Sequence, residues 1–365
     1  MRSRSRLTLV VGLAVLGVLC LAAAAILKWV AVPSGAKLPS DENTTRQYDG
    51  NAKILLNPQA LSTGNLQSAL VVNTPVKATR NVKALATSGD VAEVQDTRTL
   101  TTANGQPVGN TQATYAVDRK TLEATSDHPS SWQVTPAKGL TVSWPIGAEK
   151  KDYTGWVQET QTTTTLKYVR QETKQGLTTY VYQTSTQPAP IKDPQVLNAL
   201  PKALPVSALQ ALSSVLPLPP AVKAQLSTLL PRLTQPVPLT YTYQVNSTYW
   251  VQPTTGLVID TQREDIRTAG LSVASQTLAA GIPVFDVTTA FTSTSVANAA
   301  SDATDKKNTI DLFSTTLPLI LLIIGILALL ASLLVFLLTR RPPGDTGPAP
   351  AGGDTPPGYA PTMAS

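Results

Sequence analysis

The chain has one cysteine, Cys20, and one histidine, His128. Cys20 lies inside an apolar run, so an internal disulfide is excluded and any exported domain must rest on its core. Zinc and copper sites want several clustered His, Cys or carboxylate ligands, which argues against a metal. A serine triad would have to use His128, which sits in the turn-like Asp127-His128-Pro129-Ser130, and there is no G-x-S-x-G elbow to hold a serine. There is no phosphate-binding glycine loop. No Lys/Arg run of the kind that a nucleic-acid backbone attracts is present. Glu264 and Asp265 are neighbours, so on a strand they face opposite ways and cannot share a proton. These absences predict a protein that is not an enzyme, takes no cofactor and binds no nucleic acid.

Two uninterrupted apolar runs are present, one near each end. Residues 7–27 and 317–338 carry no charge. At 1.5 Å per residue each is long enough for a hydrocarbon core of about 30 Å. The second run holds 17 Leu, Ile, Val or Phe residues, worth on the order of −5 to −10 kcal/mol on an insertion scale. The first could instead be a cleavable signal peptide ending at Ala22-Ala23-Ala24-Ala25. Its length, and Lys28-Trp29 as an interfacial anchor, favour an uncleaved span.

Arginine placement sets the topology. Arg2, Arg4 and Arg6 precede the first run, and Arg340 and Arg341 follow the second. Both clusters belong on the cytoplasmic side. The expected organisation is a cytoplasmic tail (1–6), a span (7–27), an extracytoplasmic domain (28–316), a second span (317–338) and a disordered, Pro- and Gly-rich cytoplasmic tail (339–365). Without those five arginines and the tail acids Asp345 and Asp354, the outer segment holds 24 basic and 21 acidic residues. Its charge is thus nearly balanced, and the basic pI reflects topology rather than a polyanion-binding surface.

The outer segment reads as mainly β, built of antiparallel, twisted sheets. Over 240–251, Tyr241, Tyr243, Val245, Ser247, Tyr249 and Val251 alternate with Thr, Gln, Asn and Trp, the period of a strand with one packed face. Ala113, Tyr115 and Val117 alternate likewise, as do Leu140, Val142 and Trp144. Residues 176–186 read as another strand. Asn104-Gly105 and Thr255-Gly256 mark turns. Residues 188–238 differ: prolines cut a Leu- and Ala-rich stretch into short helices, inserted between two strands that would otherwise form one hairpin. A helical stalk is expected over 295–313.

Several stretches carry a resemblance. They are Tyr48-Asp49-Gly50, Trp144-Pro145-Ile146-Gly147 with Glu149-Lys150-Lys151, Tyr153 and Trp156, then Gly176-Leu177-Thr178-Thr179-Tyr180, and Tyr249-Trp250-Val251-Gln252-Pro253 with Thr255-Gly256-Leu257-Val258-Ile259-Asp260. Together with the two terminal spans, they make the chain resemble an actinobacterial family of membrane proteins, the PorA porin family. The resemblance implies a place in the cell envelope of a high-GC Gram-positive organism and brings no established active residues.

The resulting expectation is a membrane-anchored envelope protein, double-pass in the inner membrane, with a non-enzymatic outer domain that binds or scaffolds. Its partners would be membrane lipid and another envelope protein or a wall component. The first alternative is a lipid carrier with an apolar groove beneath 188–238. The second is a porin-like channel, as the family label implies, although a membrane barrel needs a consistently apolar strand face. Tyr48, Trp144, Tyr153, Trp156, Tyr249, Trp250 and Gly256 are the candidate binding residues.

Overall fold

The computed structural model describes residues 2–32, 36–57, 69–215, 220–273, 276–277 and 281–339. Arg340, Arg341 and the expected tail lie outside the described residues, as do the side chains of Arg2, Arg4 and Arg6. The chain divides into two units, Met1–Trp29 with Thr315–Ser365, and Val30–Ser314.

The first unit is a helix pair, α1 (Arg2–Ile26) and the helix Leu317–Thr339. Among the described residues, two helices, Leu7–Ala31 and Ser293–Thr339, are long and apolar enough to cross a membrane. Neither terminal run has a polar stripe, yet they pack along a definite seam. A Cβ on Gly17 would lie 2.9 Å from the Gly325 carbonyl oxygen and 2.7 Å from Leu329 Cγ. The Ser332 hydroxyl donates to the Val10 carbonyl at 2.8 Å. Gly325, Ala328 and Ser332 form the buried stripe of the C-terminal helix. Small residues let two backbones approach closely where hydrophobic burial cannot drive association.

The second unit is one continuous antiparallel sheet. Its strands are β1 (Asn43–Leu56), β2 (Leu70–Ser88), β3 (Val91–Thr102), β4 (Pro107–Asp118), β5 (Tyr153–Val157), β6 (Thr162–Lys174), β7 (Leu177–Ser185), β8 (Ala189–Pro190), β9 (Ala203–Leu204), β10 (Val237–Val251), β11 (Val258–Val273), β12 (Gln276–Thr277) and β13 (Ile282–Phe291). The main path is β4-β3-β2-β1-β13-β11-β10-β7-β6-β5. It curves into a half-barrel. The two edge strands approach through short loop bridges, Val117 to Ala124, Glu123 to Leu140 and Leu140 to Gly155.

One face is packed and the other is wet. On β1, Asn43, Thr45, Gln47, Asp49 and Asn51 are exposed and alternate with half-buried or buried residues. On β10, Tyr241, Tyr243, Val245 and Ser247 are buried and face inward, as the alternation predicts, while Thr240, Thr242, Gln244, Asn246 and Thr248 face outward. The outward side therefore carries Thr, Asn, Gln, Asp and Lys rather than the apolar band that a lipid-facing barrel needs.

The insertion is also as expected. β7 and β10 pair as neighbours (Ser185 with Asn246), and between them lie α2 (Pro194–Ala199), α3 (Val206–Val215) and α4 (Pro220–Leu229). Asp193 caps α2 by accepting from the Gln195 amide, with Pro194 at the first helical position. Beneath the helices Leu209 and Leu226 are buried with Leu204, Val237, Tyr241, Leu271, Ile282 and Val284. The insertion fills its end of the half-barrel with its own side chains.

One expectation needs correction. The stretch containing Leu140, Val142 and Trp144 is not a strand. Gly139 and Gly147 take left-handed backbone and Pro145 interrupts the ladder, so 139–148 forms an irregular loop held by isolated bridges. The stretch at 295–313 is helical (α5, Ser293–Asp311) and packs on the sheet. Ala299, Ala300 and Ala303 are buried, with Ala300 and Ala303 packed on Ile259, and Asp302 pairs with Arg46.

Candidate functional site

The seven candidate residues do not form one site. Four of them close one end of the half-barrel. Trp144 stacks on Tyr182 (5.3 Å) and leans on Tyr249 (5.0 Å), and Tyr153 meets Tyr182 edge-on at 5.7 Å. The Tyr153 hydroxyl accepts from the Glu149 amide at 2.9 Å, and the Tyr182 hydroxyl donates to the Glu149 carbonyl at 2.5 Å. Gln252 orders the β10–β11 turn by accepting from the Thr255 amide and hydroxyl. Gly256 ends that turn with φ +71°, its carbonyl accepting from the Ser143 hydroxyl. The motif stretches at 144–156 and 249–260 are thus two halves of one packed closure.

Gly256 is the tightest point of that closure. A Cβ there would sit 2.3 Å from the Trp144 carbonyl oxygen, and this backbone cannot yield as a side-chain tip can. Gly256→Ala is expected to cost about 1–3 kcal/mol for the left-handed backbone and more for the clash. A control, Gly105→Ala, has the same backbone hand but open space around it. Thermal melts should show Gly256→Ala falling several degrees further than Gly105→Ala. Equal losses would remove the close approach from the account.

Trp250 faces the other way from Tyr249. It lies under the Lys174 ammonium, 3.9 Å from the ring centroid, and its indole donates to Glu172, while Lys174 pairs with Asp260. Trp156 donates to Gln158 at 2.9 Å. The Gln158 amide oxygen also accepts from the Tyr115 hydroxyl at 3.2 Å. Tyr48 is half-buried on the inner face against Phe291.

Tyr48 belongs to a feature that the sequence reading missed, a charged belt across the middle of the concave face. Cross-strand register aligns Arg46, Arg80 and Arg98 on β1, β2 and β3. Like charges set directly opposite repel, so the belt requires carboxylates. Asp302 takes Arg46 at 2.6 Å. Asp96, 4% exposed, takes both Arg80 (2.8 and 2.9 Å) and Arg98 (2.9 Å). On β11, Arg263 holds Asp265 through Nε at 2.9 and 3.0 Å and donates to the Tyr243 hydroxyl at 2.7 Å. Arg267 lies over the Phe285 ring at 4.4 Å.

Electrostatics follow from this geometry. Burial alone would raise the Asp96 carboxyl, but the Arg80 and Arg98 guanidinia outweigh it and hold the group well below the usual carboxylate range. Asp265 is lowered in the same way, with burial opposed by Arg263. Burial pushes the phenols of Tyr48, Tyr115 and Tyr243 up, so they stay protonated and able to donate. The Asp-x-Arg of 96–98 and the Arg-x-Asp of 263–265 were visible as charges at the inward positions of alternating strands. Ala92, Val94, Asp96, Arg98 and Leu100 share one face. Among the described residues, no group of three His, Cys, Asp or Glu side chains is placed to hold a metal ion.

A family model described as Porin PorA matches residues 9–334. The chain belongs to that family. The match spans most of both apolar helices and the whole half-barrel. No curated protein sequence matches the chain. Among solved structures, the peroxisomal multifunctional enzyme type 2 of Drosophila melanogaster aligns at 12% identity over 68% of this chain, with a TM-score of 0.14, and the chain spans only 37% of that enzyme's length. A MaoC-domain dehydratase from Chloroflexus aurantiacus aligns at 12% identity over 76% of this chain and 81% of its own, with a TM-score of 0.13. An acyl-CoA thioesterase II from Mycobacterium marinum aligns at 12% over 70% and 81%, also with a TM-score of 0.13. Overlaps this poor carry no argument about activity.

Proposed function

We propose that this Porin PorA family member is a non-enzymatic envelope protein. Its two apolar helices hold it in the inner membrane with both ends cytoplasmic, and its half-barrel, outside the cytoplasm, binds a polar partner in the concave face. The observation that carries this reading is the belt. A sheet folded only for stability would fill its concave face with apolar side chains, yet here the middle is charged, and the Arg98 side chain keeps 37% of its surface exposed. The apolar end offers less to a lipid chain, because Leu209 and Leu226 already occupy the space beneath the insertion. The channel reading meets the polar outward strands.

A photo-crosslinking amino acid tests the reading in the full-length protein in its membrane. Placed at Tyr48 on the inner face, it should give discrete adducts, while at Asn51 on the outer face it should give none. Adducts at Asn51 alone would move recognition to the convex surface. Stepwise conductance of the reconstituted protein in planar bilayers would replace the binding reading with the channel one.

A further inference from the structure

The belt has a specific chemical surplus. Asp96 accepts three N–H bonds, two from Arg80 and one from Arg98. Arg98 spends only one donor on it, and its other N–H groups have no partner among the described residues. Five guanidinia (Arg46, Arg80, Arg98, Arg263, Arg267) lie on the inner face, with Asp96, Asp265 and Asp302 as ion-pair partners of four of them. The hydroxyls of Tyr48 and Tyr249 also lack hydrogen-bond partners among the described residues. Tyr48 lies within electrostatic reach of Arg80, Arg98 and Tyr249, and Tyr249 within reach of Arg263. The unused groups around Arg98 are donors, and what such a cluster lacks is an acceptor with negative charge.

We propose that Arg98, with Tyr48 two positions along β1 from the aligned Arg46, is the anchor of a binding site for a phosphate-bearing ligand on the concave face. This rests on the binding-domain reading above and names the ligand class. The planar guanidinium suits two oxygens of one phosphate. Arg80 and Arg263 supply positive potential from either side without surrendering their own carboxylates. Glu159 also faces Arg98 and Arg263. The phosphate of a soluble metabolite and that of a phospholipid headgroup are both admitted by this chemistry.

Calorimetric titration of the detergent-solubilised full chain tests the proposal. The probes are inorganic phosphate, glycerol 3-phosphate and a short-chain phosphatidylglycerol. Arg98→Gln is the informative variant, because Asp96 keeps its two bonds from Arg80 and the fold should hold, as a thermal melt will check. The expected result is saturable binding of at least one probe, weakened at least tenfold in Arg98→Gln and less in Arg98→Lys, which keeps charge but loses the fork. Tighter binding of the short-chain lipid than of glycerol 3-phosphate would assign the phosphate to a headgroup, and equal binding would assign it to a soluble ligand. The proposal is overturned if the folded wild type binds none of the three, or if Arg98→Gln binds them equally well. Should that happen while the Tyr48 photo-adduct persists in Arg98→Gln, the binding domain stands and only its phosphate specificity falls.

Discussion

Replacing Asp96 with asparagine is expected to lower the stability of the half-barrel by about 3 kcal/mol. Removing one member of a buried ion pair costs about 3–5 kcal/mol, and the solvent that reaches Arg98 places this case at the lower end. Asparagine keeps the shape but leaves Arg80 and Arg98 side by side, with Arg46 next in the ladder and no carboxylate between the first two. At roughly 2–4 °C per kcal/mol for a domain of this class, the melting temperature should fall by about 6–12 °C. Arg98→Gln, which leaves Asp96 paired, should fall by no more than a few degrees. The pH dependence has a definite sign. The folded-state pKa of Asp96 is depressed, so its stabilisation is fully present above the unfolded value near 3.9 and is lost as pH falls through the lower folded value. The gap between wild type and Asp96→Asn should therefore be constant from pH 5 to 8 and narrow below about pH 4. A gap that instead changed between pH 6 and 8 would mean that some other group carries the effect.

The second large effect lies in the helix pair. Val10 with Ser332 and Gly17 with Gly325 fix one antiparallel register, which puts Ala14 level with Ala328. With Cys20 replaced by serine, cysteines at Ala14 and Ala328 should form a disulfide in membranes, while a pair at the exposed Val15 and Leu327 should not. Adding Gly17→Leu should cut the Ala14–Ala328 yield several-fold, because its Cβ alone would already press on the Gly325 carbonyl. The cross-link can form only if α1 stays on the chain, so it also decides between an anchor and a cleaved signal peptide. Equal yields from the two cysteine pairs would dissolve the seam.

Much of the architecture was legible in the residues, for reasons that can be named. The alternation from Tyr241 to Val251 is long enough to fix both strand and face, and it correctly split Tyr249 from Trp250. Prolines in 188–238 had to cut helices short, and the flanking strands had to pair across them. Two things were hidden. Residues 139–148 imitate a strand in Leu140, Val142 and Trp144, but Gly139, Pro145 and Gly147 outweigh three apolar residues. The belt was hidden because its charges meet only through register. Arg80, Asp96 and Arg98 become neighbours when β2 and β3 pair, and no single-strand pattern shows that three arginines align. Trp144, Tyr153, Tyr249 and Gly256 stand out because they close the half-barrel, and the belt charges stand on other strands, β1, β2, β3 and β11.

The claim beneath all of this is that the helices are the greasy part of the molecule and the sheet lies in water. Site-directed spin labelling of the full chain in lipid nanodiscs measures it directly. One label goes on Leu327 of the C-terminal helix, and others go on Thr242, Asn246 and Asn51 on the outward strand faces. Relaxation by a water-soluble nickel chelate and by molecular oxygen is then compared. The account predicts that Leu327 favours oxygen and that all three strand positions favour nickel. Oxygen preference at the strand positions would place the sheet in the bilayer and contradict it.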